Sequence, residues 1–359
     1  MKFEISTVKF QDMLRKAVNG ASFEVLQPLS TYIGIEVKDN ELMLTTTDAS
    51  NFMYVKEKVD NGEDGYVTIA LETLAKLVPK ITSETIKVSL EERFLNLKGN
   101  GAYKLEIPME NGEIIHFPNP EASAEMHKIG DVSLVDIKMI LASVKPSLAT
   151  TFELPFYTNY YSSDIVVGTD NCKASSYNKQ VLDGKPRLLN VNIISLLNSM
   201  TDDTIEVYTD ESDTKIKFVS SNCTVYGTTP SGIEDYNIVG VTTLLQTEFP
   251  HSCQVSKSVI LGALDRIKLF VGAYDEGAIT LSFDKSELTI SSKYTTGIEE
   301  IPYVQPIDGE VSFTGEIEIN SFYTQIHSQV SDTVNLQFGL PNALKLVGDD
   351  ITSVVALFN

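Results

Sequence analysis

Two strand ends in this chain repeat at a fixed interval. Residues 43–49 read MLTTTDA and residues 165–171 read IVVGTDN, so a Thr-Asp pair closes a short apolar run at Thr47-Asp48 and again at Thr169-Asp170, 122 residues later. A further 122 residues along, the stretch SELTISSKY is another apolar alternation that ends in small hydroxyl residues. A repeat of about 120 residues is domain-sized, so the 359-residue chain is expected to contain three copies of one module.

The elements around these strand ends recur in the same order. Each third opens with a helix-like stretch, passes through short strands, and then repeats helix and strands; the six helical windows are 7–19, 71–81, 133–146, 190–200, 256–271 and 319–330. Between the windows, period-2 alternation with turn clusters is typical of antiparallel strands. We therefore predict an α+β fold of three domains, each with two helices packed on antiparallel sheet, with bounds at 1–124, 125–248 and 249–359.

Composition is that of an ordinary globular protein, with 42% hydrophobic and 21% charged residues. No uncharged stretch approaches the roughly 20 apolar residues of a membrane span, and the start MKFEISTVKF lacks the apolar core of a signal peptide. The cysteines, Cys172, Cys223 and Cys253, are odd in number and widely spaced, which favours reduced thiols. We expect a cytoplasmic protein without a membrane partner.

The net charge of −21 argues at first against the binding of nucleic acid, but the charge is unevenly distributed along the chain. The six helical windows hold ten Lys or Arg and four acids, so they carry +6 while the other residues carry −27. Helix faces with lysines and amides, and no interleaved aromatic residues, suit a duplex backbone better than stacked single-stranded bases. The alternative is that Lys and Arg simply favour exposed helix faces. The candidate DNA-facing residues are Lys9, Arg15, Lys16, Lys76, Lys80, Lys138, Lys145, Asn192, Asn198, Lys257, Arg266, Lys268 and Gln325. Ser328 and Gln329 are, like Gln325, polar groups able to meet phosphate.

These features together resemble a known family. The threefold repeat, the MKF start, the Thr-Asp turn of the second repeat and the VV of the last strand are similar to the bacterial beta sliding clamp, the beta subunit of DNA polymerase III. HFPNP at 116–120 resembles the segment that closes the family's first domain, and EDYNI at 234–238 resembles its counterpart in the second.

The resemblance implies a ring-shaped, head-to-tail homodimer that encircles double-stranded DNA without sequence preference. It also implies a non-catalytic processivity factor, with no cofactor, that tethers the replicative DNA polymerase and meets the clamp loader through short peptide motifs. The alternative that the sequence leaves open is a structural or adaptor β-protein, of phage or cell, that does not bind DNA.

The resemblance also assigns two surfaces by position. A partner-peptide cleft would be formed by Thr169, Asn171, Cys172, Lys173, Ala174, Val241, Leu244, Val354, Val355, Ala356 and Leu357. A dimer interface would be formed by Lys98, Tyr103, Lys104, Leu105, Ile107, Leu269, Phe270, Glu299 and Glu300, with the two lysines paired to the two glutamates.

The chain departs from the family's pattern in three places. Asn-Cys-Lys-Ala follows the second Thr-Asp pair where the family has Gly-His-Arg-Leu, and the chain ends in Ala-Leu-Phe-Asn rather than Met-Pro-Met-Arg-Leu. Glu24 stands near the position of a DNA-contacting arginine. These departures are typical of a divergent bacterial, phage or plasmid clamp with a reshaped cleft.

An active site is not expected. His251 and Cys253 are two residues apart, but a lone His-x-Cys is a weak zinc signal, and we predict no metal site. No Gly-rich phosphate loop follows a strand. A hydrolase that uses His251 and Cys253 remains a third reading, which predicts metal in the purified protein.

Overall fold

The computed structural model describes residues 1–22, 28–119, 125–151, 155–272, 277–294 and 296–358. Within these ranges, the helices are α1 (Thr7–Val18), α2 (Leu71–Leu77), α3 (Leu134–Ser143), α4 (Val191–Leu197), α5 (Ile238–Gln246), α6 (Lys257–Ile267) and α7 (Ile319–Ser328). Six of them lie in the six predicted windows. Single 3₁₀ turns continue α2, α3 and α6, at Val78–Lys80, Lys145–Ser147 and Lys268–Phe270.

The strands fill the spaces between the helices. They are β1 (Lys2–Ser6), β2 (Tyr32–Lys38), β3 (Glu41–Thr47), β4 (Phe52–Lys58), β5 (Asp60–Glu63), β6 (Gly65–Ala70), β7 (Thr85–Glu91), β8 (Phe94–Lys98), β9 (Ala102–Glu106), β10 (Met109–Glu110), β11 (Glu113–Ile114), β12 (Met126–Ser133), β13 (Tyr160–Ser162), β14 (Val166–Thr169), β15 (Lys173–Tyr177), β16 (Arg187–Leu189), β17 (Thr204–Asp210), β18 (Lys215–Val219), β19 (Cys223–Thr228), β20 (His251–Ser256), β21 (Ala278–Phe283), β22 (Glu287–Ser292), β23 (Ile298–Pro302), β24 (Phe313–Glu318), β25 (Thr333–Leu340), β26 (Ala343–Val347) and β27 (Ile351–Ala356).

The chain divides into two compact units. Unit 1 comprises Met1–Val135 and Asn192–Thr229, and unit 2 comprises Asp136–Val191 and Pro230–Asn359. Unit 1 holds a five-stranded sheet in the order β5-β1-β7-β8-β9 and an eight-stranded sheet in the order β12-β17-β18-β19-β4-β3-β2-β6. Unit 2 holds an eight-stranded sheet, β16-β13-β14-β15-β27-β26-β25-β20, and a four-stranded sheet, β23-β22-β21-β24.

One motif occurs three times along the chain. A strand runs directly into a helix at β1-α1, β12-α3 and β20-α6, and each of these strands pairs antiparallel with the strand that follows the second helix, β7, β17 or β25. The second helices, α2, α4 and α7, occupy matching positions. The predicted α+β class with three repeats of two helices on antiparallel sheet is confirmed.

The Thr-Asp pairs of the sequence close two strands with the same hydrogen bonds. Thr47 Oγ1 donates to the carbonyl of Asn51 at 2.6 Å, and Thr169 Oγ1 donates to the carbonyl of Lys173 at 2.8 Å. The aspartate of each pair, Asp48 or Asp170, accepts backbone N–H bonds from the residues two and three positions later. Short side chains such as Thr and Asp can hydrogen-bond to backbone groups that have no backbone partner in a turn. This explains why Thr and Asp recur at these strand ends.

Two clusters of buried apolar side chains lie in the described part of unit 2. One cluster includes Phe283, Phe322 and Phe338, and the rings of Phe283 and Phe338 stack with centroids 4.1 Å apart. The other cluster includes Tyr157 and Tyr236, whose rings meet edge to face at 5.0 Å. The second cluster matters for function because α5 packs against β15 and β27 there.

None of the helices in the described ranges is long and apolar enough to span a bilayer.

Candidate functional site

A cavity of about 360 Å³ lies beside α5 in unit 2, and we call it the α5 cavity. Its lining is mainly apolar. It comes from the end of β14 with the turn after it and the start of β15, from α5 with its N-cap residue, and from β26 and β27 with the residue before β26. The lining residues are Thr169, Asn171, Cys172, Lys173, Ala174, Asn237, Gly240, Val241, Leu244, Asn342, Ala343, Val354 and Ala356.

The turn after β14 forms a fixed wall of this cavity. Asp170 Oδ1 accepts the N–H bonds of Cys172 and Lys173 at 2.9 and 2.8 Å, and Asn171 adopts a positive φ of 71°. The carbonyl of Cys172 accepts the N–H of Ala356 at 2.8 Å, which ties the turn to the end of β27. The wall is therefore preformed rather than dependent on a ligand.

Helix α5, which the sequence pattern does not predict, forms the opposite wall. Asn237 caps the helix by accepting the N–H of Gly240 at 3.1 Å. Val241 is buried, whereas Leu244 keeps 39% of its surface exposed at the mouth of the cavity. An exposed leucine beside an open apolar cavity is the kind of surface that gains from a docked apolar side chain.

The structure brings together nine of the eleven residues that were assigned to the partner-peptide cleft. The other two lie elsewhere: Val355 and Leu357 belong to the large core cluster, where Leu357 packs within reach of Gly315. Four lining residues were missed, namely Asn237, Gly240, Asn342 and Ala343. Asn237 carries a signal that could have been used, because Asn is a favoured residue at the N-cap of a helix.

Several predicted DNA-facing residues lie on exposed helix faces. Lys138 and Lys145 are exposed, as are Lys76, Lys80, Arg266 and Lys268. In unit 1, Arg15, Asn192 and Asn198 line one polar cavity of about 750 Å³. Among these residues, Arg15 is 73% exposed.

Acidic and neutral partners hold several of these cations. Lys9 Nζ lies 2.9 Å from Glu57, and Arg15 lies 2.6 Å from Asp12. Lys76 pairs with Glu72 one helical turn away, Lys268 Nζ donates to Asn320 at 2.6 Å, and Lys257 donates to the carbonyl of Gln329. The exposed pairs are weak and are open to exchange with another anion.

Two of the predicted DNA-facing residues are buried, and their expected exposure is wrong. Lys16 is 2% exposed, and its ammonium lies 3.0 Å from Asp12. Gln325 is fully buried, donates to Ser147 Oγ at 2.7 Å and accepts from Ser175 Oγ at 2.9 Å. Ser328 and Gln329, which were grouped with Gln325, are buried as well. Each of these polar side chains has a partner within the fold and is turned away from solvent.

Five of the nine residues assigned to a dimer interface lie on two edge strands, β9 and β23. Lys98 ends β8; Tyr103, Lys104 and Leu105 lie on β9, whose described ladder partner is β8 alone. Glu299 and Glu300 lie on β23, the edge strand of the four-stranded sheet. Ile107 is buried within its own unit.

Beside β23, unit 2 carries an exposed apolar patch. Leu269 is 83% exposed, Phe270 52% and Ile298 57%, and the ring of Phe270 lies against Gly297. Glu299 already accepts hydrogen bonds from Nε and Nη2 of Arg266, at 2.7 and 2.8 Å. The expected pairing of Glu299 with Lys98 or Lys104 would therefore have to displace Arg266.

The His251 and Cys253 pair has a structural environment. Cys253 is 4% exposed, and burial raises the pKa of its thiol to about 12. The His251 ring packs 5.6 Å from Phe338. The thiol is therefore neutral at physiological pH and unsuited to nucleophilic attack. In the described residues, no group of three or more His, Cys, Asp or Glu side chains could hold a metal ion. Glu24 lies outside the described residues.

The chain is similar in sequence to one protein family and in structure to several solved proteins. The family model of the DNA polymerase III beta subunit, N-terminal domain, matches residues 1–117. No curated protein matches the sequence. Among solved structures, the DNA polymerase sliding clamp from Bacillus subtilis superimposes with a TM-score of 0.84 at 17% identity, covering 100% of this chain and 99% of that one.

Other bacterial structures match equally well. The beta subunit from the DNA polymerase of Streptococcus pyogenes gives a TM-score of 0.85 at 16% identity over 100% of both chains. DNA polymerase III subunit beta from Borrelia burgdorferi gives 0.85 at 16% identity, over 100% of this chain and 98% of that one. Residues 1–117 therefore match the model of the DNA polymerase III beta subunit N-terminal domain, and the chain as a whole has the fold of the bacterial beta sliding clamps.

Proposed function

We propose that this protein is a DNA sliding clamp, a ring that encircles duplex DNA and tethers a replicative polymerase for processive synthesis. The observation that carries the proposal is the match of the whole chain to bacterial clamps, with 100% coverage and a TM-score of 0.84 or 0.85 in the three comparisons. In this role the protein supplies no catalytic group and needs no cofactor. Its three domains are 1–124, 125–248 and 249–359.

Contact with DNA is assigned to exposed cations and amides on the helices. Lys138 and Lys145 are exposed on one helical stretch, and Arg15, Asn192 and Asn198 share the polar cavity of unit 1. Such groups can meet phosphates without reading bases. A chain of net charge −21 with a few exposed helix cations would hold DNA by enclosure, with weak contacts that allow sliding.

Ring closure is assigned to the strand edges β9 and β23 of two copies joined head to tail. An unpaired strand edge invites pairing with another chain, and the neighbouring Leu269, Phe270 and Ile298 offer apolar area that gains from burial. Pairing of β9 with β23 of a second copy would cover both features at once.

The α5 cavity is assigned to short peptide motifs of the polymerase and the clamp loader. Its volume of about 360 Å³ accommodates one or two apolar side chains. Anchoring by a few buried side chains suits partners that must exchange on one clamp.

The test compares mass and DNA retention. We expect light scattering to give about twice the chain mass of 39.6 kDa. We also expect the loaded protein to remain on nicked circular DNA through a high-salt wash and to slide off once the circle is cut. A stable monomer, or equal loss from circles and linear DNA, would favour the structural or adaptor protein instead.

A further inference from the structure

Unit 1 carries a second cavity, of about 190 Å³, on the face of the eight-stranded sheet where residues 117–119 lie. We propose that this cavity, which we call the Glu36 pocket, binds the guanidinium group of an arginine side chain from a partner protein. Its volume admits one long side chain and no folded segment. This inference is independent of the DNA and peptide surfaces described above.

The floor of the Glu36 pocket is built from cross-strand neighbours. Glu36 on β2 pairs in register with Tyr66 on β6 and with Met43 on β3. In the next row, Tyr54 on β4 pairs with Thr45 on β3. Side chains paired in this way stand about 5 Å apart on the same face, so a carboxylate, two phenol rings and a thioether converge on one small space.

Residues 115–119 form the wall and are held against the sheet. Thr68 Oγ1 donates to the carbonyl of Ile115 at 2.6 Å, and the N–H of Phe117 donates to the Tyr66 hydroxyl at 3.1 Å. A Cβ at position 34 would lie 3.2 Å from the Phe117 ring. Because Gly34 has no side chain, the ring can pack closely against the strand at this position. The Tyr66 ring is stacked on His116 with centroids 4.5 Å apart. The aromatic wall is therefore ordered in advance of any ligand.

The charge in the Glu36 pocket is uncompensated. Glu36 is partly buried, and across the described residues it makes no hydrogen bond or ion pair. Lys56, at the rim, is held 3.2 Å from Glu41. Lys56 also stands two strands away from Glu36, because Met43 lies between them in the register. A partly desolvated carboxylate without a partner favours a cation.

The rings decide which cation fits. Tyr54, Tyr66 and Phe117 all line the cavity, and aromatic faces attract a cation that lies over them. A guanidinium is planar, stacks on such rings and donates two parallel N–H bonds to a carboxylate, which an ammonium cannot do. An arginine therefore satisfies both the carboxylate and the rings. An anion would be repelled by the Glu36 carboxylate, and an aliphatic side chain would leave that carboxylate without a partner.

The test uses the intact protein with ¹³C-methyl methionine. The chain has eight methionines, and Met43→Leu assigns the signal of the methionine that lines the pocket. The probe is N-acetyl-arginine methylamide, and its neutral isostere N-acetyl-citrulline methylamide is the control. We expect a saturable shift of the Met43 methyl signal with the arginine probe in the millimolar range, and no saturation with citrulline. The signal of Met53, which is fully buried on β4, should stay in place.

Two variants separate the charge from the shape of the pocket. Glu36→Gln should weaken arginine binding at least tenfold without changing the thermal midpoint. Lys56→Gln should leave it unchanged or tighten it, because a cation leaves the rim. Equal responses to arginine and citrulline, or an unaltered Glu36→Gln titration, would overturn the proposal. So would loss of arginine binding in Lys56→Gln, because the pocket would then depend on the lysine rather than on the Glu36 carboxylate.

Discussion

Lys345 Nζ donates to the carbonyl oxygen of Thr247, 3.0 Å away, at the residue that ends α5. Lys345 is 8% exposed on β26, its ammonium lies 5.8 Å from the ring centroid of Phe249, and burial lowers its pKa below the usual value. A cation at a helix C-terminus satisfies a free carbonyl and the helix dipole. This contact anchors α5 to the sheet beneath it and so fixes one wall of the α5 cavity.

Replacement of Lys345 with Met should therefore loosen the end of α5. We expect binding of a fluorescein-labelled short peptide with Leu and Phe anchors to weaken about three- to tenfold in a polarisation titration, while the dimer mass stays unchanged. Lys285→Met, which removes an amine from the loop between β21 and β22, is the matched control. Equal affinity in Lys345→Met and wild type would show that α5 keeps its place without this bond.

Cys172 gives a direct readout of the same cavity. It is the exposed cysteine, whereas Cys223 and Cys253 are buried and burial raises the pKa of each thiol to about 12. We expect maleimide at pH 7 to modify one thiol per native chain, as measured by intact mass, and Cys172→Ser to remain unmodified. The peptide should slow this labelling. If saturating peptide leaves the labelling rate of Cys172 unchanged, the peptide does not bind in the α5 cavity.

Exchange of Phe270 for Arg should produce monomers. Phe270 is 52% exposed beside the β23 edge, and an arginine there would place an unpaired charge in a contact between copies. Val330→Arg changes an exposed apolar residue that is 61% accessible and should leave the dimer intact. Light scattering gives the mass of both variants. If Phe270→Arg is still a dimer, the interface does not include Phe270.

Reversal of charge at Lys138 and Lys145 should weaken the hold on DNA. Both residues are exposed on α3 and the turn after it. We expect the double glutamate variant to leave nicked circular DNA faster. The salt dependence of its retention should fall by about one unit of slope for each lysine lost. The matched control is Lys38→Glu with Lys58→Glu, which makes the same charge change on exposed strand residues. If both pairs slow or speed release alike, net charge rather than α3 governs retention.

Glu318 caps α7 and should make stability depend on pH. Burial acts to raise its pKa, but the N–H groups of Asn320 and Ser321, at 2.9 and 2.6 Å, donate to the carboxylate and hold the pKa below its usual value. Because the folded pKa lies below the unfolded one, the cap stabilises the fold above about pH 4.3. That stability is lost as the pH falls through the folded pKa.

We therefore expect Glu318→Gln to lower the free energy of unfolding at pH 7 by about 1 kcal/mol, the usual size of a cap. The difference from wild type should shrink as the pH falls below about 4, because the wild-type carboxylate is then protonated. Urea titrations at several pH values measure this, with the exposed Glu310→Gln as control. A difference that is constant with pH would exclude the carboxylate as its source.

The helices and strands themselves could be predicted because their patterns are local. Apolar spacing marked the windows of α1, α2, α3, α4, α6 and α7 to within a few residues. Helix α5 was missed because its sequence, IVGVTTLLQ, contains a glycine and several β-branched residues that disfavour a helix. Packing on β15 and β27, together with the Asn237 cap and the Lys345 anchor, overrides that preference.

The sequence by itself determined the threefold order of elements, the strand ends at Thr47 and Thr169, and the family resemblance, because each depends on residues close together in the chain. Tertiary structure alone decided which polar side chains are buried, as Lys16 and Gln325 show, since their partners are fixed by packing. It also decided that the repeats share sheets, through β19 with β4 and β15 with β27. Backbone hydrogen bonds between distant strands carry no local pattern, and the α5 cavity and the Glu36 pocket exist only after those strands have paired.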